Sequence, residues 1–174
     1  LKMNFELTTE QRLLKQTTCD FATNELLPEV VERDEKKIWP KAQIDKMAEL
    51  GLLGMMVSPN WNGGGMDSVS YVIAMEEIAK ADASAAVIMS VNNSLVCYLL
   101  EKFGSDYIKE TYLMDLAKGI KLGAFSLSEP QSGSDASNML TTAKKDGDSF
   151  IINGTKNWVT NGLHSDYVIV FAIT

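Results

Sequence analysis

Leu127-Ser128-Glu129-Pro130-Gln131-Ser132-Gly133-Ser134-Asp135, followed about two dozen residues later by Asn157-Trp158-Val159-Thr160-Asn161-Gly162, is the part of this sequence on which the rest turns. In the first run, hydroxyls and small residues crowd around Gly133. A Ser-Gly-Ser sequence lets the backbone turn with positive φ and leaves amide N–H groups pointing into one concavity, which holds an anion such as a pyrophosphate without a formal positive charge. Ser132 and Ser134 add hydroxyl donors. In the second run, an extended backbone puts Trp158 and Thr160 on one side, because side chains alternate with period two, so a single ligand meets an apolar face and a hydroxyl together. The pair suits a flat, polar-edged, phosphate-bearing cofactor. Taken singly, each run also reads as an ordinary turn or a core tryptophan.

Outward from these runs, the sequence changes period near Gly119. Before it the pattern is helical. Thr8 with Gln11 three residues on forms a capping box, and Leu13, Leu14, Thr17 and Phe21 recur at helical spacing up to Pro28. Trp39-Pro40 opens a second helix with Ile44, Met47, Ala48 and Leu50 inward and Gly51 as its stop. Asp67 caps a third, carrying Val69, Val72, Ile73 and Ile78. Residues 83 to about 103 read as a mostly apolar central helix, and residues 106–117 as an amphipathic one ending at Gly119.

After Gly119, residues 122–127, 141–145, 150–153, 155–160 and 167–174 are short segments rich in aliphatic, aromatic and threonine residues, and read as strands. Asp146-Gly147 and Asn153-Gly154 are hairpin signals. Helices followed by strands give α+β: an all-α helical bundle over 1–120, then an antiparallel β-sheet or barrel over 121–174. A doubly wound dinucleotide fold is excluded by that order and by the missing GxGxxG fingerprint. Asn62-Gly63-Gly64-Gly65 lies in a loop after Trp61, outside any βαβ unit, and reads as a flexible connection.

Composition limits the function. The chain has 174 residues, 45% of them hydrophobic, and a net charge of −7, which argues against nucleic-acid binding. Cys19 and Cys97 form no metal or CxxC pattern and read as buried free thiols. His164 reads as an exposed turn residue, and Glu76-Glu77, about 100° apart on a helix, are no catalytic pair. No apolar stretch is read as a membrane span, and LKMNFELTTEQ lacks a charged n-region followed by an h-region. The expected setting is cytoplasmic, with a mitochondrial matrix protein as the alternative; Leu1-Lys2 read as an addition ahead of a Met3 start.

Together the two runs resemble the acyl-CoA dehydrogenase family of flavoproteins. The likeness extends through Glu32-Arg33-Asp34, Ala74-Met75-Glu76-Glu77-Ile78, Ser90-Val91-Asn92-Asn93-Ser94-Leu95 and Asn153-Gly154-Thr155-Lys156, and VIMSVNNSL over 87–95 looks most like the short-chain, butyryl-CoA type. Ser126, Asn138 and Asn62 depart from the family's usual residues without touching the polar part of the motif.

The resemblance implies FAD as cofactor. Phe125 and Leu127 would lie along the flavin, with Ser126 in the same stretch, and Ser128 would bond its pyrimidine edge. Gly133 and Ser134 would serve phosphate and CoA contacts, Ser134 also binding the acyl-CoA. Trp158 would pack on the flavin face away from substrate, flanked by Val159, and Thr160 would donate to N5. Residues 88–95 would close the acyl tunnel. The implied reaction is α,β-dehydrogenation of short-chain acyl-CoA thioesters, with electrons passed to an electron-transfer flavoprotein and the full-length protein a homotetramer.

The family's catalytic base lies in a C-terminal helical domain, and none is assigned within these residues; Glu129, inside the cofactor motif, reads as structural. The chain is then a fragment of a longer protein or a degenerate relative. Two further readings stay open: an acyl-CoA oxidase-like flavoenzyme and a non-catalytic remnant.

Overall fold

The computed structural model describes residues 6–174, so the reading of Leu1-Lys2 and Met3 lies outside the described residues. The chain divides into two compact units, one up to Ile120 and one from Lys121.

The first unit is helical. Helix α1 (Thr9–Phe21) starts at the expected capping box: the Gln11 amide donates to Thr8 Oγ1 at 3.1 Å and the Thr8 amide to Gln11 Oε1 at 3.0 Å. It runs on as a π-helical stretch, Ala22–Leu26. Its buried side is Thr18, Phe21, Ala22 and Leu26, whereas Leu13 is exposed and Thr17 with it, so the face differs from the one read from apolar spacing. Helix α2 (Val30–Lys36), which the sequence did not reveal, is bracketed by left-handed residues, Glu29 at φ 61° and Lys37 at φ 54°. Helix α3 (Lys41–Glu49) buries Ile44 and Met47, leaves Leu50 exposed just past its end, and is followed by Gly51 at φ 73°.

Helix α4 (Ser68–Ala81) is capped by Asp67, which accepts from the Ser70 amide at 2.7 Å. Tyr71, Ile73, Ala74 and Ile78 face inward, with Glu77 buried beside them, while Val69, Val72 and Glu76 face out. Helix α5 (Ala83–Phe103) is long and apolar enough to cross a membrane by length and composition, which corrects the reading that no such stretch exists. In this structure it is a core helix. Ala85, Ala86, Ile88, Met89, Val96 and Cys97 are buried in it, and it packs on α4 and on α6 (residues 106–118). Each large apolar side chain taken out of water contributes about 1.5–3 kcal/mol.

Residues 91–97 of α5 widen into a π-helix, and the two asparagines there reach other segments of the unit. Asn92 donates to the carbonyls of Leu53 (2.8 Å) and Leu116 (3.1 Å); Asn93 donates to Leu52 O (2.8 Å) and accepts from the Met55 amide (2.8 Å). Both side chains are buried, so they tie the loop after α3 and the end of α6 to α5. Gly119, at φ 70°, ends α6 as expected.

The glycine run does not behave as a loose connection. The amides of Gly63, Gly64 and Gly65 donate to the carbonyls of Ser58, Gly54 and Val57, and a Cβ on Gly63 would lie 2.1 Å from Val57 O. Its amides are spent on protein, and no phosphate cradle is left.

The second unit holds four strands. β1 (Gly123–Ser126) pairs with β4 (Tyr167–Val170), and β2 (Thr142–Asp146) pairs with β3 (Ser149–Asn153). The helical part followed by a β part is the architecture read from sequence. Antiparallel pairing holds for β2 and β3, in register Thr142↔Asn153, with Gly147 at φ 59° in their two-residue turn. β1 and β4 pair in parallel, Ala124↔Val168, and a parallel bridge from Thr142 to Ile173 adds to the unit. No strand forms over residues 155–160, so Asn153-Gly154 opens no hairpin.

Candidate cofactor site

Lys156 joins the two runs. Its ammonium donates to the Leu127 carbonyl (2.9 Å) and to Glu129 Oε1 (2.8 Å), and the neighbouring Asn157 amide donates to the Ser128 carbonyl (2.8 Å). Glu129 is buried and accepts four donors. Thr141 N and Lys156 Nζ reach Oε1 at 3.0 and 2.8 Å, while Leu140 N and Gln131 Nε2 both reach Oε2 at 2.6 Å. Burial alone would raise this carboxyl. The Lys156 ammonium and the donors at Thr141, Leu140 and Gln131 outweigh it and hold the group far below the usual carboxylate range. Glu129 is therefore a structural anion with both oxygens occupied, as its place in the motif suggested. Lys156 lies in a stretch of family likeness, but no local signal shows its role, because its partners lie 27 and 29 residues away.

Trp158 is 92% exposed and sits at φ 57°. A left-handed backbone at a bulky residue costs roughly 1–2 kcal/mol, and such strain collects where a ligand is met. This geometry corrects two expectations: Trp158 is no core residue, and it lies on no strand, so alternation does not put it on one side with Thr160. Val159 and Thr160 are partly exposed. Asn161, at φ 67° and 5% exposed, donates through Nδ2 to the Gly123 carbonyl at 2.9 Å, and its own carbonyl closes the next turn onto the His164 and Ser165 amides. His164 is exposed in that turn, as expected.

On the other side, Phe125 is partly exposed on β1 with its ring 5.1 Å from that of Phe171, and Ser126 is buried. Leu127 and Ser128 are partly exposed; Gly133 and Ser134 are exposed. Gly133 does not take positive φ, so the turn is built differently from the expected nest. Ser132 is no ligand donor, because its buried hydroxyl donates to Asp135 O at 2.7 Å. Among the described residues no hydrogen bond engages the amides of Gly133 and Ser134 or the hydroxyls of Ser128, Ser134 and Thr160. A Cβ built on Gly133 meets nothing within 4 Å, which leaves room for a ligand to approach its backbone. An open indole face, unengaged donors and a glycine with free approach fit a flat, phosphate-bearing group. In the first unit, the stretch 88–95 spends Asn92 and Asn93 on backbone groups and leaves Ser90, Ser94 and Leu95 partly open. Of the two cysteines, Cys97 is buried as expected, and Cys19 is only partly so.

These features define a two-unit α+β protein, helical up to Ile120 and β-stranded from Lys121. Residues 8–120 match the family description "Acyl-CoA dehydrogenase, N-terminal domain", and residues 124–174 match "Acyl-CoA dehydrogenase, middle domain". The chain belongs to the acyl-CoA dehydrogenase family. It is 47% identical over 169 residues to the mitochondrial short-chain specific acyl-CoA dehydrogenase of Mus musculus, a match covering 97% of this chain and 41% of the mouse protein. The structure of butyryl-CoA dehydrogenase from Megasphaera elsdenii superposes with a TM-score of 0.92 at 41% identity, over 99% of this chain and 46% of that one. A structure described under the electron transferring flavoprotein of Acidaminococcus fermentans gives a TM-score of 0.95 at 41% identity, over 99% and 45%. The chain thus spans less than half the length of these relatives. The family is FAD-dependent.

Proposed function

We propose that the protein carrying this sequence is a short-chain acyl-CoA dehydrogenase that holds FAD at the site described above and passes electrons to an electron-transfer flavoprotein. The observation that carries the reading is Trp158, left-handed and open to solvent, in the same unit as hydroxyls and amides that no protein group engages. Phe125, Ser126, Leu127 and Ser128 form the rim along the flavin, and Ser128 donates to its polar edge. Gly133 and Ser134 serve the phosphate side, with Ser134 also meeting the acyl-CoA. Trp158 and Val159 back the ring, and Thr160 donates to its N5 region. Bound FAD supplies the hydride acceptor for α,β-dehydrogenation of the thioester. The residues of this chain bind, orient and shield: donors fixed before substrate arrives cost no reorganisation, and an indole backing one face excludes water there.

The short-chain assignment rests on VIMSVNNSL and on the similarity to enzymes named short-chain and butyryl-CoA dehydrogenases. Anaerobic addition of butyryl-CoA to the holoenzyme is expected to bleach the flavin absorption band, and a long-chain acyl-CoA to bleach it far less. Equal bleaching by both would overturn the chain-length assignment, and no bleaching by either would overturn the activity.

A further inference from the structure

The segment bearing Trp158 is pinned at both ends onto one stretch of backbone. At its start, Lys156 and Asn157 bond to the carbonyls of Leu127 and Ser128; at its end, Asn161 bonds to the carbonyl of Gly123. Between these anchors Trp158 has almost no burial and a left-handed backbone, so packing of its own ring does not hold it in place. Glu129 extends the same clamp. By accepting from Lys156 and from the amides of Leu140 and Thr141, it closes the excursion of residues 130–139, which carries Gly133 and Ser134. One buried carboxylate thus gathers the rim, the glycine-serine loop and the indole segment.

We propose that the Glu129–Lys156 pair is the positioning device of the cofactor site, setting the gap between the Phe125–Ser128 rim and the Trp158–Thr160 segment so that both meet one flavin. This rests on the flavin reading above and extends it to two residues given no ligand contact there. The side chains are 2% and 10% exposed. A buried ion pair adds little net stability over an apolar pair of like volume, and its best-attested use is to specify one arrangement among several. Supporting groups of this kind hold a site to within a fraction of an ångström.

The test uses the holoenzyme with Lys156→Met, Lys156→Arg and Glu129→Gln, and Trp158→Ala and Thr160→Val as controls on the site itself. Flavin affinity and the visible circular dichroism of bound flavin are read alongside thermal unfolding of the apoprotein. Lys156→Met is expected to weaken flavin binding about tenfold or more, the scale seen for outer-shell partners of metal sites, and to alter the flavin dichroism while unfolding stays cooperative. Lys156→Arg, which keeps a charged donor, restores much of both. If Lys156→Met does not fold, Glu129→Gln carries the test, because it keeps the shape while losing the charge and one of the two acceptor oxygens. Native affinity and dichroism in the folded charge-removing variant, with Trp158→Ala and Thr160→Val impaired, would overturn the positioning role alone. Native behaviour in Trp158→Ala and Thr160→Val would overturn the flavin site beneath it.

Discussion

Arg33 and Asp82, 49 residues apart, meet at 3.0 Å with both side chains buried. The guanidinium also donates to the carbonyls of Pro28, at 2.7 Å, and Leu26. Asp82 in turn caps α5 by accepting from the Ala85 amide at 3.0 Å. The pair therefore fixes α2 against the junction of α4 and α5. Asp82→Asn keeps the cap and removes the charge, leaving a buried guanidinium with carbonyls alone; it is expected to cost up to about 3–5 kcal/mol. Asp82→Ala loses the cap as well and should cost about 1 kcal/mol more. Urea unfolding of the three proteins measures both steps, and an Asp82→Ala no worse than Asp82→Asn would remove the capping contribution.

Asn93 satisfies the Leu52 carbonyl and the Met55 amide inside the first unit. Asn93→Leu strands both, at about 1–3 kcal/mol each. A fall in stability of about 2–6 kcal/mol is expected, against less than about 0.5 kcal/mol for the exposed Asn24→Ala. Equal stability of the two variants in thermal or urea unfolding would mean the loop after α3 has other anchors.

What the sequence showed and hid follows from the range of each interaction. The caps at Thr8 and Asp67 and the stop at Gly119 are local, and each formed as read. Helix α2 has no periodic signal, and Arg33 is buried because of a partner 49 residues on. The inward faces of α1 and α4 are not legible in apolar spacing, because Leu13, Val69 and Val72 are apolar yet exposed and spacing does not say which side finds a neighbour. Residues 155–160 have strand composition, but φ 57° at Trp158 breaks any extended run. The parallel pairing of β1 with β4 spans 44 residues from Gly123 to Tyr167 and left no local trace. In the candidate site, the open residues Ser128, Gly133, Ser134 and Trp158 stand out in the sequence by type. The clamp behind them does not, because a lysine that bonds to a residue 27 positions earlier looks like any other lysine.

Glu129 gives a pH dependence of known sign. Its carboxyl is depressed in the folded protein despite burial, so its contribution is complete above the unfolded value of about 4.3 and is lost as pH falls toward the folded value. The gap in urea midpoint between the native sequence and Glu129→Gln should be constant from pH 8 to about 5 and shrink below about 4. A gap that widened on acidification would mean the folded carboxyl binds protons more tightly than the unfolded one.

The two thiols should separate cleanly. Burial, with Glu101 adding to it, pushes the Cys97 thiol up to about 12, whereas Cys19 is partly exposed on α1. At pH 8 the thiolate fraction at Cys97 is on the order of one in ten thousand, and the thiolate is the reactive form. A chromogenic disulfide reagent should modify one thiol in the native protein and two in denaturant. Rapid reaction of both in the native state would show that α5 opens at Cys97.

Trp158→Gly pits strain against burial. A buried tryptophan truncated this far would lose about 3–5 kcal/mol. Trp158 is 92% exposed with φ 57°, so glycine removes little packing and relieves a left-handed backbone worth roughly 1–2 kcal/mol, against which it gives back up to about 1 kcal/mol of unfolded-chain entropy. Unfolding of the apoprotein should therefore be unchanged or stabilised by about 1 kcal/mol, while flavin affinity falls because the backing face is gone. A large loss of apoprotein stability would show that the indole packs against protein in solution, and the open face on which the cofactor reading rests would not exist.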